Sequence, residues 1–338
     1  MNLRSIVMNP VLDKEFRLRM RSARSAFTVL AYVLVTGLLA MGIIYVLTAG
    51  RGTVRVDSET SRMMFYALSI AQLVLIAFMT PALTAGVISG EREKQTLNML
   101  LTTQQSSAAI ILSKLTSSLS FMALIIVATI PVYSIVFLYG GVSMGQLASV
   151  FLFYLFIMLL LGALGVCFST LFKRTILAVI MTYGVGLAIF LFTGLAYLFA
   201  LGIDQANYYG SGAPPRPYSW VGYLLGLNPA GALISIFEPS FSNEVFLVQR
   251  SNLQATAPIQ LWQQFLLVYS VVIVLMLWIA VRKIRPVRAK RRSKRSDASV
   301  TQAVVMHSEA DSQEGASTTS GEPEMMKKVE REVGKEQE

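Results

Sequence analysis

Residues able to do covalent chemistry are scarce in this 338-residue sequence, and their placement suits none of the common reactions. Cys167 is the only cysteine and sits inside an apolar run; His307 is the only histidine and lies in a polar tail. One chain therefore holds no disulfide, zinc site, Ser-His-Asp triad or Cys-His dyad. The single Gly-Lys pair, Gly334-Lys335, lacks the upstream glycine and following hydroxyl of a phosphate-binding loop. No cofactor is expected on this chain. What remains is charge, gathered in four places: Lys14 to Arg24, Glu91 to Lys94, Lys173-Arg174, and a basic run after residue 281.

The elements that must position these charges are apolar. Hydrophobic residues make up 54% of the chain and charged residues 14%, where a soluble domain carries about one-quarter charged. The apolar residues form long unbroken blocks, and a hydrocarbon core about 30 Å thick needs roughly 20 of them in a helix. Six spans are predicted, at 27–48, 65–88, 115–139, 147–172, 176–202 and 262–281, none containing Asp, Glu, Lys, Arg or His. The first block is too long for the core of a cleavable signal and is expected to stay as a signal anchor. Alternating the loops places 24 of the 29 Lys and Arg on one side and five on the other. The positive-inside rule assigns that basic side, with both termini, to the cytoplasm. Pro81 and Pro131 should kink their spans, and Gly162, Gly165, Gly184, Gly186 and Gly194 should permit close helix approach.

Residues 1–26 read as an interfacial helix. Asn9 and Pro10 form an N-cap and first helical position, and Leu12, Phe16, Met20, Ala23 and Phe27 recur on one face. Lys14, Arg17, Arg21 and Arg24 recur on another, and such a pair of stripes suits the headgroup plane of an anionic lipid leaflet. A plain topogenic charge cluster is the alternative. In the 89–114 loop, Glu91 and Glu93 favour a helix N-terminus, and Leu97, Leu100 and Leu101 form an apolar edge at helical spacing. The residues alone read equally as an interfacial turn or a docking element. The turn Phe172-Lys173-Arg174-Thr175 is a third cytoplasmic feature, and by its residues alone it reads as a topogenic pair of charges in a tight loop.

The run Glu91-Arg92-Glu93-Lys94, with Thr96-Leu97 one residue on, resembles the cytoplasmic signature of ABC transporter permeases of the type-2 export class. The opening Asn9-Pro10-Val11-Leu12-Asp13-Lys14-Glu15, with Arg17, Arg19 and Arg21, resembles the N-terminus of bacterial members. The resemblance covers about residues 1–285. It implies an all-α polytopic fold with six transmembrane helices, an N-terminal elbow helix and a cytoplasmic coupling helix at 91–103. It further implies that Glu91, Arg92, Glu93 and Lys94 contact a separate ATPase subunit, which binds ATP-Mg. Leu97 and Leu100 would anchor the coupling helix, with Lys173 and Arg174 as a second contact. A second permease chain is implied, as homodimer or heterodimer, in a bacterial plasma membrane. The sequence departs from the pattern at Gln95, where glycine is usual, at Asn98, where an acidic residue is common, and at Gln104, which replaces a frequent proline.

Residues 203–261 are expected to form an extracytoplasmic loop with an interfacial aromatic belt. Within it, Leu224–Phe237 is too short to span and should form a re-entrant or interfacial helix starting near Asn228-Pro229. The tail, 282–338, opens with nine basic residues in fourteen, suited to the nearby leaflet rather than to nucleic acid, and continues as a polar segment expected to be disordered. An ATP-driven exporter of apolar or amphipathic cargo fits these features. A non-transporting scaffold moved by an ATPase shares the same motif. Ion-coupled transport and intramembrane catalysis fit less well, because the spans lack ionisable residues.

Overall fold

The computed structural model describes residues 22–48, 58–96, 107–138, 140–211, 219–246 and 257–284, with 24, 48 and 207–211 described by backbone alone. Lys14, Phe16, Arg17, Met20, Arg21, Leu97, Leu100 and the whole tail from 285 lie outside the described residues. The backbone of Arg24 belongs to the first long helix.

All regular structure among the described residues is helical: α1 (Ala23–Thr48), α2 (Ser58–Thr84), α3 (Ser89–Glu93), α4 (Ser107–Val127), α5 (Ile130–Leu138), α6 (Met144–Leu171) and α7 (Thr175–Leu187). A π-turn, Ala188–Phe192, joins α7 to α8 (Thr193–Ser211), followed by α9 (Gly222–Leu225), α10 (Pro229–Phe237), α11 (Pro239–Phe246) and α12 (Leu261–Ile284). Six stretches are long and apolar enough to cross a membrane: 25–47, 58–93, 107–138, 144–171, 175–206 and 261–284. These are the six predicted spans.

The helices overrun the apolar blocks. The second stretch has 36 residues, about 54 Å at 1.5 Å per residue, so its ends project well past a hydrocarbon core. Helices therefore take in Glu59, Arg62, Lys114 and Asp204, which the hydropathy reading assigned to loops. Apolar composition marks the lipid-bathed length. Backbone hydrogen bonding continues beyond it, where charged side chains are hydrated or paired.

The fourth span, α6, is the axis of the bundle. It packs against α2, α4, α7, α10 and α12, and 72% of its most apolar window is buried, against 17% for the first and fifth spans. Lipid is as apolar as leucine, so close packing and hydrogen bonds must hold such helices together. Gly162 and Gly165 provide the closeness. A Cβ on Gly165 would stand 3.2 Å from the Ala85 nitrogen and 3.0 Å from Thr84 Cβ, and one on Gly162 would stand 3.0 Å from Leu115 and Leu119 methyls. Gly184 does not fulfil the same expectation, since nothing lies within 4 Å of its missing Cβ. It faces outward from the bundle.

Both proline predictions can be located. Pro131 cannot donate to the preceding turn, and the third span breaks at Ala128-Thr129, where the Thr129 hydroxyl donates to Ile126 O at 2.6 Å. Pro81 sits inside α2 without ending it. The 203–261 region is more helical than a loop. α10 starts at the predicted Asn228-Pro229 cap and is a core element, with Ala232, Leu233 and Phe237 buried and Phe237 stacked on Tyr66 at 4.6 Å. Trp220 and Tyr223 are exposed, as belt residues should be.

Candidate functional site

Where the second span leaves the bundle, the charged signature is fastened to three other spans. α3 ends in a motif that doubles back on itself: the Gln95 N–H donates to Arg92 O at 3.1 Å, and the Thr96 N–H to Glu91 O at 3.0 Å. That pair of bonds is the Schellman pattern, which places its C′ residue in the left-handed region and favours glycine there. Gln95 holds that position with φ of 58°. The residue that departs from the usual glycine thus occupies the one site in the turn where glycine is conformationally preferred.

Of the four charges before Gln95, Glu91, Arg92 and Glu93 each have a partner. The Lys114 ammonium donates to a Glu91 carboxylate oxygen, with Lys114 only 5% exposed and Glu91 28%. This ties α3 to the first turns of the third span. The Arg92 guanidinium donates to Thr170 O and Phe172 O, both at 3.2 Å, satisfying carbonyls left open at the C-terminus of α6, where a cation is also favoured by the helix dipole. Glu93 accepts the Thr175 N–H at 2.7 Å and the Thr175 hydroxyl at 3.0 Å, placing an anion at the N-terminus of α7. Glu93 lies beyond the apolar stretch 65–88. The Thr175 N–H first, then its hydroxyl, with a smaller contribution from Arg174, hold its carboxyl below the usual carboxylate range against a small opposing effect of desolvation.

The predicted benefit of acidic residues at a helix N-terminus is therefore realised by Glu93 on a different helix. Sequence periodicity sees neighbours along one helix and cannot see the α6–α7 turn brought alongside. Ser169 completes the join, its Oγ accepting the N–H groups of Ile88 and Ser89, each at 2.9 Å. Beneath lies an apolar cluster of Ile88, Ile111, Leu115, Val166, Cys167, Ala280 and Ile284, which draws in the sixth span and makes Cys167 a core thiol. Lys94, Lys173 and Arg174 are exposed around this cluster. Ser169 and Thr175 carried no signal beyond being small and polar near a turn.

A second junction lies at the π-turn. A π-turn frees carbonyls from the regular helical ladder and often marks a functional position. Asn228 fills this one. Its Nδ2 donates to Phe190 O at 2.8 Å and Thr193 Oγ1 at 3.0 Å, while its Oδ1 accepts the Ala230 N–H at 2.9 Å and the Gly231 N–H at 3.3 Å. One side chain thus caps α10 and latches it to the fifth span. Residues of the π-turn also line a half-open apolar cleft of about 280 Å³, bounded by Val74, Phe78, Pro81, Leu161, Tyr183 and Phe190 among others. The Tyr183 hydroxyl, on its wall, donates to Phe78 O at 2.6 Å.

No cluster of metal-ligating side chains occurs among the described residues. The architecture is that of a multi-pass helical membrane protein whose working parts are helices and the joints between them. The family model for ABC-2 family transporter protein matches residues 9–282, and the chain belongs to that family. It is a permease subunit of the ABC-2 type, in a family of membrane transport subunits that are generally non-catalytic and that normally partner with an ABC ATPase. No curated protein matches the chain.

Proposed function

We propose that this permease belongs to an exporter driven by a separate ATPase chain, and that residues 89–96 transmit the ATPase's motion into the bundle. The observation that carries this reading is the three-way fastening of α3: Glu91 to Lys114, Arg92 to the end of α6, and Glu93 to the start of α7. A push on the segment after Thr96 acts at once on the second, third, fourth and fifth spans. Lys94, Lys173 and Arg174 are exposed beside the cluster and remain the charged candidates for direct ATPase contact, together with Leu97 and Leu100. Glu91, Arg92 and Glu93 then serve the interface from behind, by holding its frame.

An apolar or amphipathic cargo is supported by the apolar cleft beside the π-turn and by spans whose described charges sit near their ends. The ATP-Mg belongs to the partner chain. Two permease chains enclose the path, in a bacterial plasma membrane with both termini cytoplasmic, a reading that rests on the charge bias of the loops. Residues 14–24 contact anionic lipid in this reading.

The test is reconstitution of the full chain with its ATPase, comparing wild type, Arg92→Ala and Leu97→Ala/Leu100→Ala. Arg92→Ala should retain ATPase binding and lose most cargo-stimulated hydrolysis, whereas the leucine pair should lose binding itself. Loss of binding by Arg92→Ala would remove the transmission role, and full stimulation would do the same. A wild-type chain that recruits no ATPase sinks the exporter and the ATPase-driven scaffold alike. Orientation has a separate check, since a cysteine replacing Ser211 should label from outside intact cells while buried Cys167 stays silent.

A further inference from the structure

Where the first three spans meet, the bundle carries a run of buried polar groups without protein partners. Tyr32 Oη, Ser69 Oγ, Gln72 Oε1, Thr80 Oγ1, Ser117 Oγ and Ser118 Oγ all lie in residues at most 4% exposed, and none has a hydrogen bond within the protein. Fully buried polar atoms are paired in about nine cases of ten, and bare ones are costly in a medium as apolar as a bilayer. Six in one bundle require a partner.

They are not scattered. Ser69, Gln72 and Thr80 lie along one buried face of α2. Ser61 Oγ donates to Val136 O at 2.9 Å, and Gln72 Nε2 reaches Thr129 Oγ1 at 3.4 Å, which fixes the antiparallel register of the two spans. Continued downward, that register brings Ser117 and Ser118 opposite the Thr80–Thr84 turn. Tyr154 Oη donates to Ser69 O at 2.9 Å and lies 3.2 Å from Tyr133 Oη. Tyr32 packs in the same core cluster, within electrostatic reach of both tyrosines.

We infer that this seam is a binding site for a short file of ordered water molecules. The chemistry of the orphaned atoms selects the ligand. Five are hydroxyls that need an acceptor for their proton, and one, Gln72 Oε1, needs a donor. Water supplies both and makes about three bonds at such sites. A monovalent cation would satisfy only lone pairs, leaving the hydroxyl protons bare. The serines and Thr80 have a second route, rotation onto their own helix carbonyls, as Thr36 and Thr84 do at 2.8 Å. Tyr32 and Gln72 have no such route, so the inference rests on them. Water in this seam lets the two spans flanking residues 97–106 shift against each other while their polar groups exchange partners. The site belongs to the folded chain and does not depend on where an ATPase docks.

Radiolytic hydroxyl labelling of the full chain in lipid nanodiscs tests this, because radicals form at bound water even where bulk solvent is excluded. Tyr32, 4% exposed, should label severalfold faster than Tyr154, which is fully buried and bonded within the protein, and Gln72→Met should abolish the difference. Tyr32→Phe should lower the apparent melting temperature by about 2–4 °C, since it removes a bond made to water. A dry seam predicts the opposite sign, because the substitution deletes a bare hydroxyl. Equal labelling of Tyr32 and Tyr154, or a higher melting temperature for Tyr32→Phe, overturns the inference; the labelling comparison uses wild type and is independent of whether either variant folds.

Discussion

Glu91→Gln should destabilise this protein more than Lys114→Met, and the two together should cost little more than the lysine change alone. The reasoning starts from burial. Lys114 is 5% exposed, and its ammonium is bonded to a carboxylate that is 28% exposed. Glu91→Gln takes one counter-charge from a buried cation, and breaking a buried pair costs about 3–5 kcal/mol. Partial hydration of Glu91 at the end of the bundle reduces that to about 2–3 kcal/mol. Lys114→Met keeps the aliphatic packing, removes the buried charge, and leaves a carboxylate whose side chain is 28% exposed, for about 1 kcal/mol. The double variant has no buried charge to compensate, so the coupling between the two sites should be about 2 kcal/mol. In melting temperature this corresponds to a fall of about 5 °C or more for Glu91→Gln, recovered in large part by adding Lys114→Met. The assay is thermal unfolding of all four proteins in one detergent at one scan rate, since unfolding of such proteins is often irreversible. Shifts that add to within about 0.5 kcal/mol would refute the claim that this pair fastens α3 to the third span.

Three further outcomes follow from the same geometry. Gln95→Gly should raise stability by about 1 kcal/mol, read as a higher melting temperature, because it relieves a left-handed backbone at a Schellman C′ position. Asn228→Ala should cost about 1–2 kcal/mol through loss of the α10 cap, and hydrogen exchange should rise both at 188–194 and at 229–237, since one side chain serves both segments. Gly165→Val should abolish the folded, monodisperse protein on size-exclusion chromatography, because its Cβ meets the Ala85 backbone, whereas Gly184→Ala should elute as wild type.

Much of the architecture was legible in the residues. A stretch of about 20 apolar residues has one stable solution in a bilayer, so span number and span type followed from composition and order alone. The Asn228-Pro229 start of α10 was legible for a local reason, since cap and first-turn preferences act between near neighbours. The resemblance carried by Glu91-Arg92-Glu93-Lys94 identified the family that the match over 9–282 shows.

Other features were set by contacts between segments far apart in the chain. The signature charges suggested a surface ready for a partner, yet Arg92 and Glu93 cap α6 and α7 some eighty residues downstream. Lys114 sits in a helix because hydrogen bonding runs past the apolar block, and it is paired because α3 folds back beside it. Gly165 and Gly184 look alike in sequence; only the neighbour across the interface makes one indispensable and the other free. Periodicity and composition report what a residue prefers locally. Which helix end a charge neutralises, and which hydroxyls meet where the first three spans join, depend on how the six helices are arranged around α6.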